Sequence, residues 1–403
     1  MDTFYRNVTF LAKLTALVHI LRQGYDISGG VIQMTKKLLI SSALVASMSS
    51  AALAEGLERS NFSSFFLFEE GNYAEFALGA VRPDLPATLP SATASAIVGA
   101  AVPDIPFDNV AKEFNVVNFA IKTQLSDQFS LGLSYTSQGN GSLIDWQTDL
   151  GAGAVTLVGA DVSLSTLSLV GKYNLNENFS LIGGLKRVAS NDPTVTVPIG
   201  VTPTTFTHTG TDGVGAIFGV GYERPEIAMR IALTYETAID LEFPVTSIGG
   251  GASGGAITTA SIGDALNLQF QTGIAQNTLL FGNLRYSMWE NNQVFLAGDP
   301  DPLTKFEDGY SISLGVARRL NDQWAVSASF FFDPGDGEGA SELSPQGSNR
   351  ALTLGVRHTL ASGANIDLGA TYSLRGDAVT ENFGATLNDS KVLSAGLKIS
   401  TSF

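Results

Sequence analysis

Cysteine is missing from this 403-residue chain. That excludes a disulfide scaffold, a thiolate metal site and a cysteine nucleophile. Histidine is almost missing: His19, His208 and His358 stand far apart, so no His-rich metal centre is expected. No metal, cofactor or catalytic residue is assigned. Charge is scarce, at 15% against roughly 25% in soluble domains. Its formal balance is −15, which argues against nucleic acid as a partner, because phosphates call for clustered Lys and Arg. No long apolar run occurs beyond the leader, so a helical membrane protein is not indicated. Glycine, in contrast, is abundant, 43 of 403 residues against a usual ~7%. An apolar, glycine-rich chain without spanning helices points to a barrel.

Residues 34–54 have the layout of a secretory signal peptide. Lys36 and Lys37 precede a short apolar core, and the segment ends in the small residues around Ala52-Leu53-Ala54. Cleavage is expected before Glu55. The apolar core, about a dozen residues, is too short for a ~20-residue transmembrane anchor. Since the leader begins at Met34, residues 1–33 read as an upstream extension from an over-long gene start, with a genuine long leader as the alternative. Without 1–54 the chain carries 18 basic and 36 acidic residues.

The remainder alternates with a period of two, which is strand geometry. Phe119, Ile121, Thr123 and Leu125 share one face; Ala120, Lys122 and Gln124 share the other. Ser126-Asp127-Gln128 then turns the chain into Phe129, Leu131, Leu133 and Tyr135. The same pattern recurs around turns at Asn176, Arg224, Ala275, Asn321 and Ala361. Six turns give twelve strands, and further strands fit at Tyr73–Arg82 and Val392–Phe403. The expected fold is all-β: a 14-stranded antiparallel transmembrane β-barrel over 73–403, with a short N-terminal plug (hatch) at 55–72. Long connections are expected at 83–113, 136–160, 188–210, 243–263, 290–308, 333–350 and 375–391. Short turns on one side and long loops on the other are the asymmetry of an outer-membrane barrel. The apolar faces would meet lipid, while Lys122, Gln124, Arg230, Glu236, Gln269, Gln271 and Asp367 would line the lumen. A solenoid or propeller of ~45-residue units would show blade signatures, and none is found. The final strand ends on Phe403, similar to the signal that the barrel assembly machinery reads. A monomer set in outer-membrane lipid and lipopolysaccharide of a Gram-negative cell is expected.

Several stretches resemble the FadL/TodX family of outer-membrane transporters for long-chain fatty acids and hydrocarbons. They are Asn174–Leu181 with Gly183-Gly184, Gly219–Glu223 followed by Leu233–Ile239, and Phe270–Ile274. The resemblance spans about 110–403. It implies fourteen strands, a plug inside the barrel, and lateral exit through a wall opening beside an inward strand kink. The chain departs from the family at its plug, which is short and lacks an Asn-Pro-Ala element. The function implied is passive passage of hydrophobic compounds such as long-chain fatty acids or aromatic hydrocarbons, not enzymatic catalysis. A general porin for polar solutes and a structural or adhesive barrel are the alternatives.

Phe62, Phe65, Phe66 and Phe68 of the plug are candidate ligand contacts, since a greasy chain gains ~0.8 kcal/mol per buried CH₂. Packing of the plug against the wall is the plainer reading. Leu85, Leu89, Ile97, Val98, Val102, Ile105 and Phe107 make an unusually apolar loop, a candidate capture surface or a lid over the mouth. Arg230 is a candidate lumen cation for a carboxylate, and Lys122, Lys172, Lys186 and Arg187 share that expectation; pairing with lumen acids is the commoner use. Gly249–Gly251 and Gly254-Gly255 make no phosphate loop, having no following Lys-Ser/Thr and no helix.

Overall fold

The computed structural model describes residues 57–403 except 150–153, 200–201, 298, 336–337 and 346. The upstream extension, the signal peptide, Glu55 and Gly56 lie outside the described residues. Fourteen strands form the wall: β1 Tyr73–Asp84, β2 Phe114–Gln124, β3 Phe129–Asp149, β4 Ala154–Asn174, β5 Phe179–Ser190, β6 Asp212–Arg224 and β7 Met229–Glu236; then β8 Asp264–Ala275, β9 Thr278–Met288, β10 Gly309–Arg319, β11 Trp324–Asp333, β12 Asn349–Thr359, β13 Asn365–Arg375 and β14 Lys391–Ser402. Each is antiparallel to the next. β1 closes the ring by pairing with β14 from Tyr73↔Ser402 to Asp84↔Lys391. Closure gives every strand of the wall a neighbour on each side, as backbone amides in lipid require.

The period-two pattern sets which side chains face out. Leu185, Phe218 and Leu354 are more than half exposed on the outer face, where lipid takes the place of water. Lys186, Gln271 and Arg357 of the same wall point inward and are buried. Tyr173, Tyr235, Trp324 and Tyr372 are exposed near strand ends, as an interfacial girdle would be. The tight turns rest on one local device. Asn176 Oδ1 accepts the backbone N–H groups of Asn178 and Phe179, each at 2.9 Å. Asn321 Oδ1 does the same for Gln323 and Trp324, each at 2.9 Å. Ser126 Oγ accepts from Gln128 and Phe129. Such side-chain-closed turns reverse the chain in very few residues.

The connections at the opposite end fold upon one another. The segment 85–113 holds two short strands, Ala87–Leu89 and Ile105–Phe107, and a helix at Ser91–Val98. The strands join Glu338–Ala340, Ala378–Thr380 and Thr386–Leu387 in a small five-stranded sheet. Residues 239–262 form a second inserted hairpin, Ile239–Ile248 against Ile257–Ile262. The expected loop at 136–160 is a correction. β3 and β4 run 21 residues each and pair well past Tyr135. Alternation broke down there because the upper parts of these strands are buried among other loops, with Ile144, Trp146, Leu157 and Val158 in a shared core.

Candidate functional site: a plugged lumen and a seam in the wall

The plug threads the lumen and is fastened along its length. Near the loop end, Glu58 meets Arg285 of β9 through two hydrogen bonds, Nε to Oε2 at 2.8 Å and Nη2 to Oε1. Ser287 Oγ adds a bond to Oε2 at 3.2 Å. Arg285 Nη1 also reaches Glu236 at 2.7 Å, and Glu236 in turn holds Lys186 at 2.9 Å. Midway, Gln269 Oε1 accepts from the Ser64 amide at 2.9 Å while its Nε2 donates to Ser63 Oγ. Asn267 Nδ2 donates to the Phe62 carbonyl. Near the turn end, Glu69 pairs with Arg230 at 3.1 Å, and its carbonyl accepts from Lys122 at 2.5 Å. Lys172 pairs with Glu223 at 2.6 Å and lies 4.1 Å above the Phe68 ring. These groups are mostly buried, so each ion needs its partner.

Between the two clamps, Phe65–Phe68 form one 3₁₀ turn with all four side chains buried. They pack on Ala120, Val170, Ile182, Ile217 and Ala232 of the inner wall. Small wall residues make room: a Cβ at Gly132 would lie 2.4 Å from a Phe66 ring carbon.

The wall itself has a seam. β2 and β3 are paired only from Gln124↔Ser130 to Asn118↔Thr136. Beyond Thr136, β3 carries three residues, Ser137-Gln138-Gly139, opposite the single Ser165 of β4. This bulge bends β3 away from β2. Gly141 completes the bend at φ +128°, where a Cβ would strike the Val162 carbonyl oxygen at 2.1 Å. The freed edge is satisfied from inside. Gly139 O accepts from the Arg59 and Ser60 amides at 2.9 and 3.0 Å, and Gly141 N donates to Leu57 O at 2.7 Å. Further up, Lys112 N donates to Leu143 O and Asp145 N to Val110 O, both at 2.9 Å. On the other side of the seam, Val117 N finds only the Ser137 hydroxyl, at 2.9 Å. A cleft of about 40 Å³ lies here, bordered by Leu57, Arg59, Phe114, Gly141, Ile144 and Leu343, among others.

No family model matches the chain. It is 26% identical over 323 residues to a long-chain fatty acid transport protein of Salmonella typhi, covering 69% of this chain and 73% of that protein. The protein of the same name from Escherichia coli K12 is 24% identical over 334 residues, again 69% of this chain. Among solved structures, a Pseudomonas aeruginosa FadL homologue superposes with a TM-score of 0.65 at 14% identity, covering 90% of this chain and 96% of that one. The Ralstonia pickettii toluene transporter TbuX gives 0.59 at 12% identity, covering 89% and 98%. In sequence the chain is similar to long-chain fatty acid transport proteins, and it shares the fold of the solved FadL-homologue and toluene-transporter barrels.

In this barrel the sequence-derived candidates fall into distinct places. Phe65, Phe66 and Phe68 pack the plug on the wall, with Phe62 partly buried beside them. Leu85, Leu89, Ile105 and Phe107 are buried, and Ile97 and Val102 pack against the same core. Val98 ends the lid helix. Of the two readings of this segment, a capture surface or a lid, burial of Leu85, Leu89, Ile105 and Phe107 in the loop core favours the lid. Arg230 faces inward and pairs with Glu69 and Glu223, which lie 3.1 and 3.6 Å from it, the commoner use of a lumen cation. Arg187 is on the outward face and pairs with Asp212. Lys122, Lys172 and Lys186 do face inward. His208 bridges Pro193 O and Thr258 Oγ1 among the loops, and His358 lies against the Trp324 ring.

Residue reading alone passed over Glu58, Arg59, Glu69 and the bulge. The Gly139-Asn140-Gly141 triplet was the available signal for the bend, since glycine inside a strand marks a bulge or a close approach. The acids of the plug gave no signal, because their partners are more than 150 positions away.

Proposed function

We propose that this chain is a passive outer-membrane channel for hydrophobic compounds, long-chain fatty acids or aromatic hydrocarbons. One observation carries the reading: the ladder break between β2 and β3 at Ser137–Gly139, covered from within by Leu57–Ser60 of the plug. An apolar molecule cannot gain by entering a polar lumen, but a lateral gap lets it pass from a protein cleft into lipid without crossing water. The plug holds the gap and the axial path closed until its contacts rearrange. Diffusion down a gradient then needs no cofactor. The relatives named for fatty-acid transport and the toluene transporters of like fold are consistent with this cargo. The buried, ion-paired plug speaks against a general porin, which would need an open aqueous path.

Reconstitution in liposomes tests the proposal. Uptake of labelled oleate or toluene, with no swelling in sugars, is the expected result. Sugar swelling without hydrophobic uptake would establish the porin, and neither activity would leave a structural barrel.

A further inference from the structure

Arg59 differs from three buried arginines of the inner wall. Arg230, Arg285 and Arg357 each contact a carboxylate within 3.1 Å. Arg59 is only 3% exposed, yet among the described residues no carboxylate lies within ion-pair distance of it. Its Nη1 donates to the side-chain oxygen of Gln138 at 2.8 Å, and the guanidinium carbon sits 4.9 Å over the Phe114 ring. Its Nε is buried with no hydrogen-bond partner. Asp161 is the acid whose field it feels, and that carboxylate lies 3.6 Å from Lys112. Burial lowers the Arg59 pKa to about 10, which still leaves it charged at neutral pH. A buried cation without a counter-charge is costly.

The surroundings are those of an amphiphile's head. Arg59 borders the cleft at the seam, whose other walls include Leu57, Leu85, Phe114, Leu143 and Ile144; of its charged lining, Lys112 is a second cation and Glu58 is held by Arg285. Other unpartnered buried polar atoms gather at the same break: Ser60 Oγ, Asn118 Oδ1, Thr136 Oγ1 and Asn140 Oδ1. The space suits a head group with its first carbons better than a whole acyl chain. The Arg59 amide is also one of the two donors to Gly139 O, so the cation and the bulge move together.

We propose that Arg59 is a carboxylate-recognition residue at the wall seam, which makes the preferred cargo an acyl chain with an ionised carboxylate and not a neutral hydrocarbon. A carboxylate entering the cleft would replace the missing counter-charge and form a two-pronged pair with the guanidinium, while the alkyl start lies on the leucine and phenylalanine walls. This rests on the channel reading above and narrows its substrate class.

The test is equilibrium binding of oleate and oleyl alcohol to the full chain in nanodiscs at pH 8, where the acid is ionised. These two probes share a tail and differ in the head. The wild type is expected to bind oleate about ten-fold or more tightly than the alcohol. Arg59→Gln should abolish that preference by weakening oleate alone, and Arg59→Lys should keep part of it. A wild type that treats the two alike overturns the inference and leaves the channel reading standing, as does an Arg59→Gln variant that keeps the preference. Failure of the wild type to bind either probe removes the channel reading as well. Heat-modified mobility on gels checks that each variant still forms a barrel. If Arg59→Gln does not, the wild-type preference and the Arg59→Lys variant decide.

Discussion

Glu58 of the plug and Arg285 of β9 form a two-pronged ion pair with both side chains almost fully buried. The pair ties the start of the plug to the wall opposite the seam that Leu57–Ser60 covers. Arg285 also holds Glu236, which holds Lys186, so one guanidinium neutralises two acids. Its removal is therefore expected to do more damage than removal of either acid. Arg285→Met should leave Glu58 and Glu236 short of charge, at ~3–5 kcal/mol for a broken buried pair. Glu58→Ala should cost less, because Arg285 keeps Glu236. Both should raise small-solute leakage in liposome swelling, Arg285→Met more. Equal, wild-type leakage in both would show that the clamp does not hold the plug.

Gly132 is the wall position under Phe66. A Cβ there would overlap the ring at 2.4 Å, and the ring has little room to retreat within its cluster. Gly132→Val is expected to push the 3₁₀ turn off the wall, at ~1–3 kcal/mol for overpacking. Limited proteolysis of the plug would report it as faster cleavage in the variant, with the barrel core surviving. Gly79, whose Cβ would have ordinary contacts of 3.7 Å or more, is the control: Gly79→Ala should be silent in the same assay.

The bulge holds two residues in excess of its β4 partner. Deleting Gln138 and Gly139 should restore the register, let β3 continue along β2, and seal the seam. Hydrophobic uptake is then expected to fall at least about ten-fold, the equivalent of ~1.4 kcal/mol on the barrier, while heat-modified mobility stays that of a folded barrel. Unchanged uptake would move the exit path elsewhere.

His208 lies in the loop strand Thr202–His208, outside the wall. Its Nδ1 is 3.0 Å from Pro193 O and so carries the proton, while its Nε2 accepts from Thr258 Oγ1 at 2.9 Å. Burial lowers its pKa below the ordinary 6.5. A depressed folded-state value favours the neutral ring, so the fold is most stable above the unfolded pKa. It loses that stability as pH falls through about 6.5 and below. Protease nicking in the 191–211 and 237–262 connections should accelerate from pH 7.5 to pH 5, and His208→Gln should flatten the trend. A wild type with no pH trend would exclude the histidine as a contributor.

Much of the wall was legible in the residues themselves. Alternation such as Phe129-Ser130-Leu131-Gly132-Leu133 is a local property, and a barrel in lipid turns it directly into outward and inward faces. The short turns were legible for the same reason, since Asn176 and Asn321 close them with their own side chains. The upper halves of β3 and β4 were not, because burial on both faces erases the alternation that marks a strand.

Sequence by itself therefore determined the strand count, the faces and the turns. Tertiary structure alone decided which charges are spent and which is left. Arg230 and Arg285 look like Arg59 in the chain, yet two meet plug acids and one meets a cleft. The physical reason is that ion pairing depends on distances of a few ångströms between residues separated by more than 150 positions. Barrel closure sets those distances, and no local pattern encodes them.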